Sequence, residues 1–218
     1  MMKEYEKFLH DKLILSKGKN AVLQLSGGTD SALAFYLICE FVVKENIQDF
    51  QITPIHGWDT ARKHSYSPDA AKKIYTFIKQ KFPTVKINDL YLFAYHKINK
   101  VEEKSKYHRP VYKLMRKEGK LDDYMLFSGV TLSPTDKSFK PKNSGNVDGS
   151  NRIKGRYKGM LMFYDKKWVS SMYKEKNLLE IFPYTVSCIA DEKGPCKKCW
   201  WCEEKYWAFN AYDGDMIC

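Results

Sequence analysis

The sequence has no apolar run that approaches the roughly 18 residues needed by a membrane-spanning helix, so we expect no transmembrane segment. Its first residues, Met1 to Glu6, are too polar and acidic for a signal or transit peptide. The Walker pattern, in which Lys and Ser or Thr close a glycine-rich loop, is absent, and no internal repeat is visible. We therefore expect a cytoplasmic protein without a membrane partner and without a Walker-type nucleotide site.

The composition is that of a globular protein with one main core. Of the 218 residues, 44% are hydrophobic and 15% are aromatic, which is enough apolar surface for one α/β domain. The 37 Lys and Arg residues exceed the 26 Asp and Glu residues, so the formal charge is +11. Positive potential suits anionic small molecules, and direct nucleic-acid binding is the alternative. Because most of the excess is Lys rather than the base-reading Arg, we expect small-molecule partners.

The most informative stretch is Ser-Gly-Gly-Thr-Asp-Ser at residues 26–31. It follows an apolar, strand-like run at 21–25 and precedes a helix-like run at 32–43. Glycines permit a sharp turn, and the first N–H groups of a helix have no intrahelical partner, so they suit a phosphate. Asp30 would repel a phosphate unless a divalent cation lies between them, which predicts Mg²⁺. A capped helix without a ligand is the alternative.

Ser-Gly-Gly-x-Asp-Ser at this position resembles the signature of the N-type ATP pyrophosphatases, or PP-loop enzymes, which split ATP between the α and β phosphates. In our interpretation, backbone N–H groups of the loop and the hydroxyls of Ser26 and Ser31 hold the β,γ-pyrophosphate, and Asp30 holds Mg²⁺. Asp30 and Ser31 are the predicted catalytic residues. The predicted nucleotide-binding residues are Leu25, Ser26, Gly27, Gly28, Thr29, Asp30, Ser31 and Gly129.

Four cysteines near the C-terminus have the spacing C-x7-C-x2-C-x2-C: Cys188, Cys196, Cys199 and Cys202. Four thiolates gathered so closely in a reducing compartment fit a tetrahedral Zn²⁺ site. An iron–sulfur cluster and disulfides are the alternatives. Such a site carries excess negative charge, which neighbouring lysines would offset: Lys193, Lys197 and Lys198.

The two motifs together are similar to those of the 7-cyano-7-deazaguanine synthase family. The approach to the cysteines follows the order of that family: Asp165-Lys166-Lys167, Leu178-Leu179-Glu180, Pro183, Thr185, Ser187 and Cys188. The resemblance implies that 7-carboxy-7-deazaguanine and ammonia become the nitrile through an amide, with ATP activating each step, in the biosynthesis of queuosine-type 7-deazaguanine nucleosides. From their positions, we expect six residues to contact the acceptor: Ser128, Gly129, Thr131, Asp136, Asp165 and Lys166.

One segment departs from that family. Where the family usually has Tyr-Gly-Gln-Arg-His, this chain has His56-Gly57-Trp58-Asp59, and only the glycine is in register. A PP-loop enzyme that activates a different acceptor, such as a nucleic-acid or protein group, is therefore a second hypothesis. A third is a non-enzymatic, zinc-stapled basic binding module. We expect His56, Asp59 and His64 to lie near the crevice, where a histidine either assists proton transfer or makes a structural hydrogen bond.

Strand-like and helix-like segments alternate along the chain, which predicts an α/β fold with a doubly wound, mostly parallel five-stranded sheet of the Rossmann-like PP-loop type. The predicted strands are 21–25, 50–55, 85–92 and 124–127, and the predicted helices are 3–15, 32–43, 67–81 and 98–117. Ligands of such sheets bind beyond the carboxyl ends of the strands.

We expect two units, an ATP-binding domain at 1–183 and a small zinc element at 184–218. A glycine- and lysine-rich stretch at 133–159 is either a lid over ATP or a surface insertion, and as a lid it would offer three cations: Arg152, Lys154 and Arg156. Aromatic residues between Trp200 and Phe209 are expected to cover the metal site rather than to stack on bases. A homodimer is left open.

Overall fold

The computed structural model describes residues 3–15, 20–59, 68–95, 124–132, 134, 139, 159–188 and 194–217. Its elements, in chain order, are α1 (Glu4–Leu9), a π-helical turn (His10–Leu15), β1 (Asn20–Gln24), α2 (Thr29–Lys44), β2 (Gln51–Asp59), α3 (Pro68–Lys81), β3 (Lys86–Ile87), β4 (Tyr91–Tyr95), β5 (Tyr124–Ser128), α4 (Lys166–Glu175), a 3₁₀ helix (Leu179–Tyr184) and α5 (Trp200–Phe209).

The five strands form one parallel sheet in the order β3-β2-β1-β5, with β4 also paired to β2. The prediction of an α/β fold built on a mostly parallel five-stranded sheet is confirmed. The chain moves outward from β1 through β2 to β3 and later returns to the other side of β1 as β5. The carboxyl ends of β1 and β5 therefore flank the point where the strand order reverses, which is where open α/β sheets bind their ligands.

The main core lies on the sheet face that carries Leu23, Ile52 and Phe127, and α2 packs at its centre. Residues 31–39 of this helix are all buried, as its apolar composition on every side predicts. The opposite face carries a smaller cluster in which Val22 and Ile55 pack together. Among the described residues, no helix combines the length and the apolar composition that crossing a bilayer requires.

The third predicted strand is wrong in one respect, because the structure divides it into β3 and β4. Both parts pair with β2, and Asn88 lies between them. The Asn88 N–H donates to the carbonyl of Ile52 at 2.9 Å, while its side-chain amide donates to Oγ1 of Thr53 at 2.9 Å. Between the paired positions Ile52–Ile87 and Ile55–Tyr91, two residues of β2 face three residues of the other segment. An extra residue of this kind disrupts the ladder locally, so the strand is interrupted here.

Some predictions lie outside the described residues. These are the helix at 98–117, most of the stretch at 133–159 with its three cations, and the individual residues His64, Asp136 and Lys193. The boundary between the two predicted units, at 183/184, stays a prediction.

Candidate nucleotide site and cysteine cluster

A cavity of about 250 Å³ opens at the carboxyl ends of β1 and β5. Its lining combines the glycine-rich loop, the end of β5, the start of α4 and the segment beside the cysteines: Gln24, Ser26, Gly28, Thr29, Asp30, Ser31, Ser128, Gly129, Val130, Thr131, Lys166, Val186, Ser187 and Trp201. The predicted site residues Ser26, Gly28, Thr29, Asp30, Ser31 and Gly129 are thus brought together. Two of the predicted nucleotide-binding residues, Leu25 and Gly27, do not line this cavity.

The loop is braced by its own serines. The hydroxyls of Ser26 and Ser31 lie 3.0 Å apart, and Oγ of Ser31 donates to the carbonyl of Gly28 at 3.0 Å. Gly27 has a φ of +88°, a conformation that strongly favours glycine. At this residue the chain can therefore turn sharply out of β1. Gly28 is the N-cap of α2. The start of this helix consequently faces the cavity with its unbonded N–H groups.

Asp30 is bound by a lysine that was predicted only as an acceptor contact. Nζ of Lys166 lies 2.6 Å from both carboxylate oxygens of Asp30. Oγ1 of Thr131 also donates to Asp30, at 3.3 Å. The lysine side chain is 5% exposed and that of Asp30 is 21% exposed, so this ion pair is poorly hydrated. The carboxylate at the predicted Mg²⁺ position is therefore compensated by an ammonium within the protein.

The end of β5 meets the loop at very short range. A Cβ atom added to Gly129 would lie 2.5 Å from the carbonyl carbon of Asp30 and 2.6 Å from Cα of Ser31. Glycine is therefore needed because backbone approaches backbone at this position. Its neighbour Ser128 is 5% exposed, and its Oγ is a buried polar atom without a hydrogen-bond partner among the described residues. Ser128 contributes to the lining of the cavity, and its Oγ lies 3.3 Å from the position that a Cβ of Gly159 would take.

Leu25 and His56 fix the strand that leads into the loop. The Leu25 side chain is fully buried, its N–H donates to the carbonyl of Ile55, and its carbonyl accepts from Nδ1 of His56 at 2.8 Å. A carbonyl only accepts, so Nδ1 carries a proton. His56 is 1% exposed, stacks on Trp58 and does not line the cavity. Of the two roles considered for this histidine, the structure therefore supports the structural hydrogen bond rather than proton transfer.

Tyr173 binds the glycine-rich loop from the core, at the first residue of α2. The hydroxyl of this buried residue donates to the carbonyl of Thr29 at 2.9 Å. Burial, with a smaller contribution from Asp30, raises the pKa of Tyr173 well above its usual value of 10.0. The tyrosine therefore stays neutral and keeps its donor.

Asp165, which we expect to contact the acceptor, is the N-cap of α4, and its carboxylate accepts a hydrogen bond from the Trp168 N–H at 3.0 Å.

The four predicted cysteines form one cluster. Their sulfur atoms all lie within 4.8 Å of one another, and those of Cys196 and Cys202 are 4.0 Å apart. Tetrahedral Zn–S bonds of about 2.3 Å place sulfurs about 3.8 Å apart, so the donor set fits Zn²⁺. The Cys196 N–H donates to Sγ of Cys188 at 3.4 Å. Such bonds help to orient metal ligands.

The cysteine element also forms a wall of the cavity. The Val186 N–H donates to the carbonyl of Gly27 at 2.8 Å, which joins the segment before Cys188 directly to the loop. Val186, Ser187 and Trp201 line the cavity from this side. Trp201 follows Cys199 by two residues in sequence, but nothing in the spacing of the cysteines indicates that it faces the nucleotide loop.

The other tail aromatics pack against aromatic side chains, and their role as a cover of the metal site stays a prediction. Phe139 packs against Trp200, with ring centres 4.8 Å apart, and against Trp207 at 5.4 Å. Tyr206 stacks on Tyr212 at 4.7 Å. Trp201 is the exception, because it contributes to the cavity wall.

A Ser-Gly-Gly-Thr-Asp-Ser loop at the strand-order reversal of a parallel sheet defines a PP-loop, ATP-utilising protein. A model of the NAD synthase family matches residues 1–111, just over half of the chain. The chain therefore belongs to the NAD synthase family, a group of PP-loop ligases and amidotransferases that use ATP. This confirms the predicted superfamily.

The solved structures that are similar to this chain include two synthetases. NMN synthetase from Francisella tularensis is 14% identical, with 95% of this chain and 87% of that chain covered and a TM-score of 0.50. NAD+ synthetase from Burkholderia pseudomallei is 13% identical, with 80% of this chain and 67% of that chain covered and a TM-score of 0.43. At these identities the first likeness supports the fold alone. No curated protein matches the sequence significantly.

Proposed function

We propose that the chain is an ATP-dependent carbon–nitrogen ligase that converts 7-carboxy-7-deazaguanine and ammonia to the nitrile. The observation that carries this proposal is the shared cavity, in which the glycine-rich loop is one wall and the segment leading into the cysteine cluster is another. The ATP-utilising family supports the activation chemistry. The order of motifs around the cysteines, which is similar to that of the nitrile-forming synthases, supports the acceptor.

In this proposal the loop binds the β,γ-pyrophosphate. The N–H groups at the start of α2 and the hydroxyls of Ser26 and Ser31 donate to phosphate oxygens. Asp30 is an oxygen ligand of the kind that Mg²⁺ prefers, and the hydroxyl of Thr131 lies beside it. When bound, Mg²⁺ would neutralise charge on the pyrophosphate. Lys166, released from Asp30, would then contact a phosphate oxygen across the same cavity.

The reaction balances without a redox partner. A carboxylate oxygen of the acceptor attacks the α-phosphorus, pyrophosphate leaves, and an acyl adenylate forms. Ammonia then adds to the acyl carbon, loses a proton and expels AMP to give the amide. The amide oxygen then attacks the α-phosphorus of a second ATP, and pyrophosphate leaves. Loss of both N–H protons and expulsion of the second AMP give the nitrile. The protein has to hold the attacking oxygen and the leaving pyrophosphate in line and to exclude water.

Ser128 is the residue that we assign to the acceptor. The residue lines the cavity, and its buried hydroxyl has no hydrogen-bond partner among the described residues. Leaving such a group unsatisfied costs about 1–3 kcal/mol. A polar edge of a bound ring would supply the missing hydrogen bond.

The four cysteines would hold Zn²⁺, which would tie the cavity wall together and take no part in the chemistry.

A second candidate function is the formation of a nicotinamide nucleotide. It is favoured by the match to the NAD synthase family and by the likeness of the fold to an NMN synthetase. A carboxamide on a pyridine ring arises from the ring carboxylate through the same adenylation and ammonia addition. The first activation and the ammonia addition are therefore shared. The two candidates differ in the ring that the cavity accepts and in whether a second ATP converts the amide to the nitrile.

The test is mass spectrometry of reactions that contain the full chain, ATP, Mg²⁺, ammonium and one acceptor. The acceptors are 7-carboxy-7-deazaguanine and the ring-carboxylate forms of the nicotinamide nucleotides. The Asp30→Ala variant is the control, and its zinc content should equal that of the wild type. We expect the deazaguanine nitrile with the wild type alone. Formation of NMN or NAD+ would replace the proposed acceptor, and absence of ATP binding would overturn both candidates.

A further inference from the structure

Asp213 lies at the junction of the cysteine cluster and the cavity wall. Its Oδ2 accepts hydrogen bonds from the backbone N–H of Ser187 at 2.9 Å and from that of Cys188 at 2.8 Å. Ser187 lines the cavity, and Cys188 is the first cysteine of the cluster. One carboxylate oxygen therefore orients two successive peptide groups, one belonging to each site.

Lys205 holds this carboxylate from the core. The lysine is 0% exposed, and its Nζ lies 2.6 Å from Oδ1 of Asp213. The same ammonium donates to Oγ1 of Thr185 at 2.7 Å and lies 4.3 Å from the centre of the Phe182 ring. Burial lowers the pKa of Lys205, and Asp213 opposes that shift. Because both oxygens of Asp213 are engaged, its carboxylate is held in one orientation.

The helix that carries Lys205 connects to the nucleotide site by a second route. α5 also contains Cys202 and Glu204, and all three residues lie within one helical turn. The Glu204 carboxylate lies 3.8 Å from Nζ of Lys166, which in turn pairs with Asp30. A shift of α5 at the cysteine would therefore displace the carboxylate that faces the lysine of the cavity.

We propose that Asp213 is a positioning residue that couples the two sites, so that Zn²⁺ at the cysteines and ATP in the cavity strengthen each other's binding. This inference rests on the proposed function, since it takes ATP as a ligand of the cavity. Linkage makes the coupling reciprocal, because the factor by which Zn²⁺ tightens ATP is the factor by which ATP tightens Zn²⁺. Couplings of this kind are typically about 5–150-fold.

The experiment compares four forms of the full chain: the wild type, Asp213→Ala, Asp213→Ala with Lys205→Met, and Asp215→Asn. The double variant removes the ammonium that Asp213→Ala would leave buried and unpaired, so it protects against simple misfolding. Asp215 is the matched control, because it is exposed in the same tail and accepts from the Tyr212 N–H at 2.7 Å. Zinc affinity is measured by competition with a chromophoric chelator, and MgATP affinity by calorimetry with and without Zn²⁺.

We expect Zn²⁺ removal to weaken MgATP binding to the wild type at least about 5-fold. Both Asp213 variants should lose about 10–100-fold in zinc affinity, as is typical when an outer partner of a metal ligand is removed. They should also bind MgATP at least about 5-fold more weakly when saturated with Zn²⁺. Asp215→Asn should match the wild type in every measurement.

Two results would overturn the inference. One is Asp213 variants that keep both affinities and lose only thermal stability, which would leave Asp213 a purely structural residue. The other is a wild type whose MgATP affinity does not respond to Zn²⁺. Either result leaves the proposed function standing, because ATP still binds. A wild type that binds no MgATP in any state would overturn the proposed function, and the coupling with it.

Discussion

Replacing Lys166 by Met should destabilise the protein strongly, because this lysine neutralises two carboxylates in a poorly hydrated place. Its Nζ lies 2.6 Å from Asp30 and 3.8 Å from Glu204. Removing one partner of a buried ion pair typically costs about 3–5 kcal/mol. Asp30 is 21% exposed and keeps a hydrogen bond from Thr131, so we expect the lower end, about 3 kcal/mol.

The assay is thermal and urea unfolding of Lys166→Met beside Lys167→Met. Lys167 is the matched control, because it is the next residue of α4, is exposed, and lies 4.5 Å from the centre of the Trp207 ring. A loss of about 3 kcal/mol should lower the melting temperature by roughly 6–12 °C in a protein of this size. The control should lose about 0.5–1 kcal/mol, the contribution of an exposed cation–π contact.

Adding Asp30→Asn to Lys166→Met should restore part of the stability, since it removes one of the two uncompensated charges. The reasoning is refuted if Lys166→Met is as stable as Lys167→Met. It is refuted as well if the added Asp30→Asn lowers the stability further, because the carboxylate would then not be the source of the loss.

Three further outcomes are expected. Gly129→Ala should lose about 2 kcal/mol or more by calorimetry, since its Cβ would overlap the Asp30 backbone. Gly28→Ala, whose Cβ meets nothing within 3.4 Å, should lose only about 1 kcal/mol, because alanine is a poorer N-cap than glycine. Trp201→Ala should weaken binding of a purine in the cavity about 10-fold in titrations, whereas Trp200→Ala should mainly lower stability. Above pH 10, the free energy of unfolding of the wild type should fall more steeply than that of Tyr173→Phe, by about 1.4 kcal/mol per pH unit. The reason is that Tyr173 ionises above pH 10 in the unfolded chain but stays neutral when buried. Parallel pH profiles of the two proteins would contradict this.

Local sequence was sufficient for most of the described elements and for the two motifs. The turn at residues 26–31 depends on neighbouring residues alone, because glycines permit it and apolar runs on both sides define a strand and a helix. The helix that begins at Pro68 and ends at Lys81 follows from its proline at the first turn and from its apolar period. The cysteine cluster follows from spacing, since Cys196, Cys199 and Cys202 lie within seven residues of chain.

Contacts between distant residues could not be predicted, because no local pattern records them. Lys166 meets Asp30 across 136 positions of chain, and Asp213 reaches Cys188 across 25. Each depends on where whole elements pack, and single lysines and aspartates are common on surfaces. The position of Trp201 at the cavity could not be predicted either. Trp200 and Trp207 are tryptophans of the same helix, yet they pack against Phe139.

The sequence by itself therefore determined the parallel α/β fold, the glycine-rich loop and the grouping of the cysteines, since each follows from short-range sterics and hydrophobic period. Only the tertiary structure decided that the cysteine element is a wall of the cavity beside the glycine-rich loop, that Lys166 compensates Asp30, and that Asp213 contacts the segment between that cavity and the cysteines. The reason is physical: burying a charge far from water is tolerable only opposite a partner, and folding alone determines which partner is within reach.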